Sequence, residues 1–396
     1  MDGPWGETQS HEAVVFRGKR AEFLRLLLKG YLLMVPTLGV YRFWLTTNKR
    51  RYYWQNTTIG GDALEYTGSA RQLLLGFLFA LAFFLPVYVG FFVLSTQAGI
   101  VTVIGYAVLT ALFWFFIGYA QYRGRDFRLS RTLWRGIRFD QKGSALAYAT
   151  RRFLWSLLVI VTLGLAYPFM SANLWRYRYS HTWFGDRQMS FVGTWKTVAG
   201  PFYRAYATIV ALILLMILVA TNGGAGDIVI QFAPLALLTF IGLATPYWRA
   251  REASRMFSSI RLGEAAVATR IKFRTLFGQY FGLGSLLLLL LVVGIAIATA
   301  IFVAYYRETG EMAVGDLRSL AFTGWGGAAI VVGGYLLGFG AFSLLVEAII
   351  DFGFWKAVAR GTTITGLQSL ESVHATGEDT ALVGEGLADA LNVGAF

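Results

Sequence analysis

T-L-G-V-Y-R-F-W-L-T-T-N-K-R-R-Y-Y-W-Q-N-T-T-I-G-G-D-A-L-E-Y-T-G, residues Thr37 to Gly68, is the stretch around which the rest of the chain is organised. An aromatic, apolar segment turns basic at Lys49, Arg50 and Arg51, passes a threonine pair and a Gly60-Gly61-Asp62 tip, and closes on alternating Leu64, Tyr66 and Gly68. Alternation around such a tip is the short-range pattern of a β-hairpin. A second stretch, Thr162 to Gly193, aligns with the first at one offset of 125 residues: Thr37 with Thr162, Asn48 with Asn173, Arg51 with Arg176, Thr57 with Thr182 and Gly68 with Gly193. A fixed offset of this kind reads as a duplicated unit.

The chain around these stretches is 56% hydrophobic and 14% charged over 396 residues. Soluble proteins carry about 25% charged residues, so this composition predicts an integral membrane protein. The net charge of +13 would suit nucleic acid, but the basic residues lie between long uncharged runs, as the excess of Lys and Arg on the cytoplasmic side of membranes requires. No nucleic-acid partner is therefore expected. The chain has no cysteine, which excludes disulfides, thiolate metal sites and cysteine nucleophiles. Residues 1–20 lack the apolar core of a cleaved signal peptide.

Uncharged runs follow the hairpin stretch at Gln72 to Tyr122, Ala205 to Gly226, Ile228 to Trp248, Thr275 to Tyr306 and Ser319 to Val346. Their lengths predict six membrane spans, the first run holding two. Two further apolar segments, around Pro36 and Gly39 and over 153–175, have basic residues on both sides, and they read as re-entrant or interfacial hairpins. The expected fold is thus an all-α integral membrane protein of about six transmembrane helices, with two re-entrant hairpins and short cytoplasmic β-hairpins, internally duplicated with a period near 125. It divides into a cytoplasmic lead (1–20), two repeats (21–149 and 150–274), a partial third (275–373) and an acidic cytoplasmic tail (374–396). The expected outer loops, 95–99, 221–227 and 306–324, hold only Arg307 and Arg318 of the 35 Lys and Arg, which puts both termini in the cytoplasm.

The motifs F-R-G-K-R-A-E-F (Phe16 to Phe23), T-L-G-V-Y-R-F-W through N-T-T-I-G-G-D-A-L-E-Y-T-G, the stretch from Thr162 and the closing G-E-G-L-A-D-A-L resemble the YjgN family of bacterial inner-membrane proteins of unknown function. The resemblance covers nearly the whole chain. It implies a multi-pass inner-membrane protein and brings no catalytic residues with it. The second stretch departs where Tyr167-Pro168-Phe169 replaces Arg42-Phe43-Trp44.

Three histidines, His11, His181 and His374, stand far apart and form no metal-type spacing. There is no G-x-x-x-x-G-K-[ST] and no G-x-S-x-G. No enzyme chemistry, metal or cofactor is expected. Arg204 and Glu347 lie within apolar runs, and ionisable residues at membrane depth mark pathways or buried partners. The two are candidate pathway residues, or partners of each other; the plain alternative is snorkelling to headgroups. Two aromatic and basic clusters, Trp44, Lys49, Arg50, Arg51 and Tyr53, and Trp175, Arg176, Arg178 and Tyr179, suit anionic lipid headgroups, although interfacial anchoring uses the same residue types. Gly278, Gly282, Gly334 and Gly338 give small-residue helix faces, suited to internal packing or to a homo-oligomer. The functional expectation is a non-enzymatic conduit or carrier for a small molecule or lipid; the alternative is an envelope scaffold that binds lipids or partners.

Overall fold

Gly60 and Gly61 both adopt positive φ, 56° and 86°, the two-residue turn that matches the twist of paired strands and that side chains resist. It joins β3 (Thr57–Ile59) to β4 (Asp62–Tyr66). The same strand-turn-strand unit recurs as β5 (Thr132–Trp134) with β6 (Ile137–Gln141), β7 (Thr182–Phe184) with β8 (Arg187–Phe191), and β9 (Ile260–Leu262) with β10 (Ala265–Thr269). The computed structural model describes residues 12–96, 99–222, 226–309 and 324–376.

Each pair is too short to stand alone in water, and none does. β4 pairs with β5, β6 with β7 and β8 with β9, all antiparallel. β11 (Thr362–Thr365) adds to β10. The ring is then nearly closed by the start of the chain: β1 (Glu12–Ala13) pairs with β11, and β2 (Val15–Phe16) with β3. Val14 between them donates its N–H to Thr362 O at 3.0 Å. The result is one 11-stranded sheet, barrel-shaped, in which strand edges are covered by neighbours.

Helices enter and leave this sheet at its strand ends. α1 (Arg20–Met34) and α2 (Arg42–Gln55) precede β3; α3 (Ala70–Ser95) and α4 (Ile100–Ser130) link β4 to β5; α5 (Ala145–Val161) and α6 (Tyr167–Ser180) link β6 to β7. α7 (Trp195–Asn222) and α8 (Gly226–Phe257) precede β9. α9 (Phe273–Thr309), α10 (Gly324–Val346), a π turn (Glu347–Asp351) and α11 (Phe352–Arg360) lie between β10 and β11. At four helix-to-strand joints the first strand residue is a threonine whose Oγ1 donates to the carbonyl four residues back: Thr57 to Tyr53 O (2.7 Å), Thr132 to Arg128 O (2.7 Å), Thr182 to Arg178 O (2.8 Å) and Thr362 to Val358 O (2.7 Å). These bonds satisfy carbonyls that a helix end leaves open, and they explain why Thr57 and Thr182 match in sequence.

The barrel interior is apolar. Trp134, Phe184, Leu262 and Ala265 pack with Leu367, Leu370 and Val373 from the segment after β11. That segment turns at Gly366 and crosses the hairpin tips, and Asp186 N–H donates to His374 O while Asp186 Oδ1 accepts from His374 N–H. The C-terminal segment therefore plugs the end of the barrel away from the long helices.

The all-α fold expected from sequence is overturned by this sheet. The strand pairs are not separate cytoplasmic hairpins, because unpaired edges of two to five residues each gain partners by joining in sequence order. The ladder runs unbroken from β3 to β11, so the stretches matched at the 125-residue offset are consecutive arcs of one sheet; no separable structural modules correspond to the duplication. Five helices among the described residues are long and apolar enough to cross a membrane (Ala70–Ser95, Ile100–Ser130, Trp195–Val219, Phe273–Ile297 and Val332–Arg360); the further span expected at 228–248 lies in α8, where many side chains are outside the described residues. The two segments read as re-entrant are the helix pairs α1/α2 and α5/α6. Both pairs turn at T-L-G in the same way. Thr37 Oγ1 donates to Leu33 O (2.7 Å) and accepts from Tyr41 N–H (3.2 Å), and Thr162 does the same with Leu158 O (2.7 Å) and Ala166 N–H (3.1 Å). The tips leave Leu38 94% and Leu163 81% exposed. Residues 97, 223 and 312 in the expected outer loops, and most of the acidic tail, lie outside the described residues.

Candidate functional site

Of the first aromatic and basic cluster, most members are already engaged by the protein. Lys49 Nζ lies 2.8 Å from Glu347 Oε1, which also accepts from Tyr31 OH at 3.4 Å. Arg50 donates to Tyr66 OH (2.9 Å), and Arg51 to Gly68 O (3.2 Å). Tyr53 is 8% exposed among Phe16, Phe23, Phe352 and Trp355. Within this cluster Trp44 and Arg51 are exposed, Trp44 stacked on Tyr41 at 6.2 Å. Glu347 thus pairs with Lys49 and not with Arg204, whose side chain is exposed and whose Nε donates to Gly200 O at 3.1 Å.

The second cluster is arranged differently. Trp175 stacks on Tyr179 at 5.3 Å, with the Arg178 guanidinium 4.9 Å from the Trp175 ring and that of Arg125 4.7 Å from Tyr179. Arg178 Nε is buried without a hydrogen-bond partner among the described residues. Arg176 donates to Gly193 O at 3.0 Å, as Arg51 does to Gly68 O, so both of the matched arginines tie a helix to the loop after the following strand pair. Arg176 also borders a cavity of about 360 Å³.

Three elements form that cavity. α5 contributes Trp155; α6 contributes Phe169, Asn173 and Arg176; the start of α7 contributes Trp195 and Lys196. Phe169 and Trp195 stack at 4.6 Å. Asn173 Oδ1 is buried with no hydrogen-bond partner among the described residues, and an unsatisfied buried polar atom costs about 1–3 kcal/mol. The lining holds two cations and no acid. The sequence signal for Asn173 is its match to Asn48; Lys196 and Trp195, next to a T-W-K helix start, escape a sequence reading because nothing in their local pattern joins them to α6.

Glu252 escapes it as well, since in R-A-R-E-A-S-R it reads as one charge on a solvated helix end. In the structure it faces α6: Ser171 Oγ donates to Glu252 Oε1 at 2.6 Å and Tyr167 OH at 3.4 Å. Burial raises its pKa above the ordinary carboxylate value, and the hydrogen bonds from Ser171 and Tyr167 only partly oppose this. A carboxyl with a raised folded pKa costs nothing while both folded and unfolded states are protonated; it destabilises increasingly as pH rises from the unfolded value, about 4.3, through the folded one. Glu252→Gln is therefore expected to raise the Tm at neutral pH, with the gain vanishing below about pH 4. A gain that is independent of pH, or a loss at neutral pH, would mean that the ionised form is the one the fold uses.

Among the described residues there is no group of three or more His, Asp or Glu placed to hold a metal. His181 is taken up by Tyr177, through Nδ1 at 2.7 Å from its carbonyl oxygen; His11 lies outside the described residues.

No curated protein and no solved structure matches the chain. A family model described as "Bacterial protein of unknown function (DUF898)", which includes the YjgN-like proteins, matches residues 11–390. With nearly the whole barrel, all five apolar helices and the cavity inside that match, the chain belongs to this bacterial family of unknown function.

Proposed function

We propose that this protein is a non-enzymatic, lipid-binding scaffold of the bacterial inner membrane, with its barrel and both termini on the cytoplasmic side. The observation that carries this reading is the bareness of the five apolar helices. Over their most apolar windows, between 0% and 22% of residues are buried within the protein. These helices do pack pairwise, α3 on α4 through Phe84 with Phe113 and Phe91 with Tyr106, yet they leave broad apolar faces exposed, and lipid is the solvent for such faces. The exposed leucines at the two T-L-G tips point the same way. The conduit or carrier expected from sequence needs a path enclosed between spans, and the cavity at α5–α7 is a local one at the start of α7.

Two measurements test this. Purified protein in liposomes should move neither a panel of small solutes nor labelled lipid faster than protein-free liposomes; flux above that background would overturn the scaffold reading in favour of a carrier. In intact cells, single cysteines at 60, 140, 186 and 365 should all resist an impermeant reagent, while those at 97, 223 and 312 should react. The first four positions lie on one sheet or its tips, so they must behave alike, and outside labelling of them would reverse the orientation.

A further inference from the structure

The geometry points to the cavity between α5, α6 and the start of α7 as a site for the phosphate headgroup of an anionic phospholipid, of the phosphatidylglycerol class, an assignment that rests on the lipid-binding reading. Arg176 and Lys196 stand at its wall with no acid beside them, so a headgroup of net negative charge is the better fit, and a zwitterionic one finds no carboxylate for its ammonium. The start of α7 adds the positive end of a helix, since Trp195 is its first residue. The volume of about 360 Å³ falls at the low end of ligand pockets, roughly 300–1,000 Å³, which suits a headgroup and leaves the acyl chains outside. A route for them is present: Leu154, Leu158 and Val161 flank Trp155 on α5 and are 59%, 44% and 78% exposed. A free phosphate would make no use of that apolar face or of the stacked Phe169 and Trp195. The amide of Asn173, its oxygen without a partner among the described residues, supplies a further polar group to a headgroup.

The test uses the full-length protein in nanodiscs of mixed phosphatidylglycerol and phosphatidylcholine, with bound lipid read by native mass spectrometry. Wild type should retain phosphatidylglycerol selectively. Lys196→Gln should lower that selectivity about fivefold, the worth of one lysine near an anionic surface. Asn173→Asp, which sets a carboxylate in the wall at unchanged size, should lower it at least as far, and Arg274→Gln, a cation at another helix start, should not change it. Excess inorganic phosphate should leave the bound lipid in place. Unchanged selectivity in both site variants, an equal loss in Arg274→Gln, or displacement by inorganic phosphate would each overturn the assignment. The total lipid retained per protein reports separately on the scaffold reading: that reading fails if wild type keeps no lipid at all, whatever the variants do.

Discussion

Ending the chain after Thr365 is expected to collapse the barrel, whereas ending it after Thr376 leaves the plug whole and serves as the control. The shorter chain loses Leu367, Leu370 and Val373, which are 2%, 7% and 6% exposed inside the barrel. At about 1.5–3 kcal/mol for each buried aliphatic side chain, the loss is roughly 5–9 kcal/mol, comparable with the entire stability of an ordinary domain, about 5–15 kcal/mol. Trp134 borders both Phe184 and the plug, so tryptophan fluorescence during heating in detergent is a direct readout. The expected result is loss of the cooperative transition in the shorter chain and its retention in the longer one. Gly185→Val provides an independent route to the same end, because a Cβ there would overlap the His374 carbonyl oxygen and the position holds φ at 54°. A shorter chain that melted like the control would show that the barrel does not depend on its plug.

That dependence was not legible in the sequence, and the reason is physical. Gly60-Gly61 announces a turn through the conformational freedom of glycine, and a turn forms there. Which strand lies beside β4 is not a local property: Leu64 meets Trp134 from 70 residues later in the chain, and strands of three to five residues carry too little pattern to specify that pairing. The closing strand, Glu12 to Phe16, reads as part of a polar lead because its partners, β3 and β11, come from opposite ends of the chain. Matched residues told more. Thr57 and Thr182, Arg51 and Arg176, and Thr37 and Thr162 repeat because each pair makes the same hydrogen bond. The aromatic and basic clusters were visible as composition, yet composition cannot separate an arginine that ties down a loop from one that borders a cavity. Arg176 does both. The partner of Glu347 was likewise beyond reach, since Lys49 lies 298 residues away.

The second large effect concerns that pair. Lys49 and Glu347 keep only 22% and 23% of their side-chain surface exposed. Glu347 Oε2 is buried with no partner among the described residues, so Lys49 is the principal compensation for its charge. Removing one member of a buried pair costs about 3–5 kcal/mol, and the residual exposure here reduces the expectation for Lys49→Gln to about 2 kcal/mol. Glu347→Gln alone should cost less, because a lysine can extend toward headgroups while a carboxylate near the π turn cannot. In the double variant two neutral amides face each other, and about half of the Lys49→Gln loss should return, a coupling of about 1 kcal/mol in a double-mutant cycle. Arg204→Gln should stay within about 0.5 kcal/mol of wild type, as for an exposed side chain away from any network. Thermal unfolding in one detergent measures all four. Additive losses at Lys49 and Glu347 would mean that their 2.8 Å contact contributes nothing to the fold, and a large loss at Arg204 would give that residue a structural role that its exposed position does not explain.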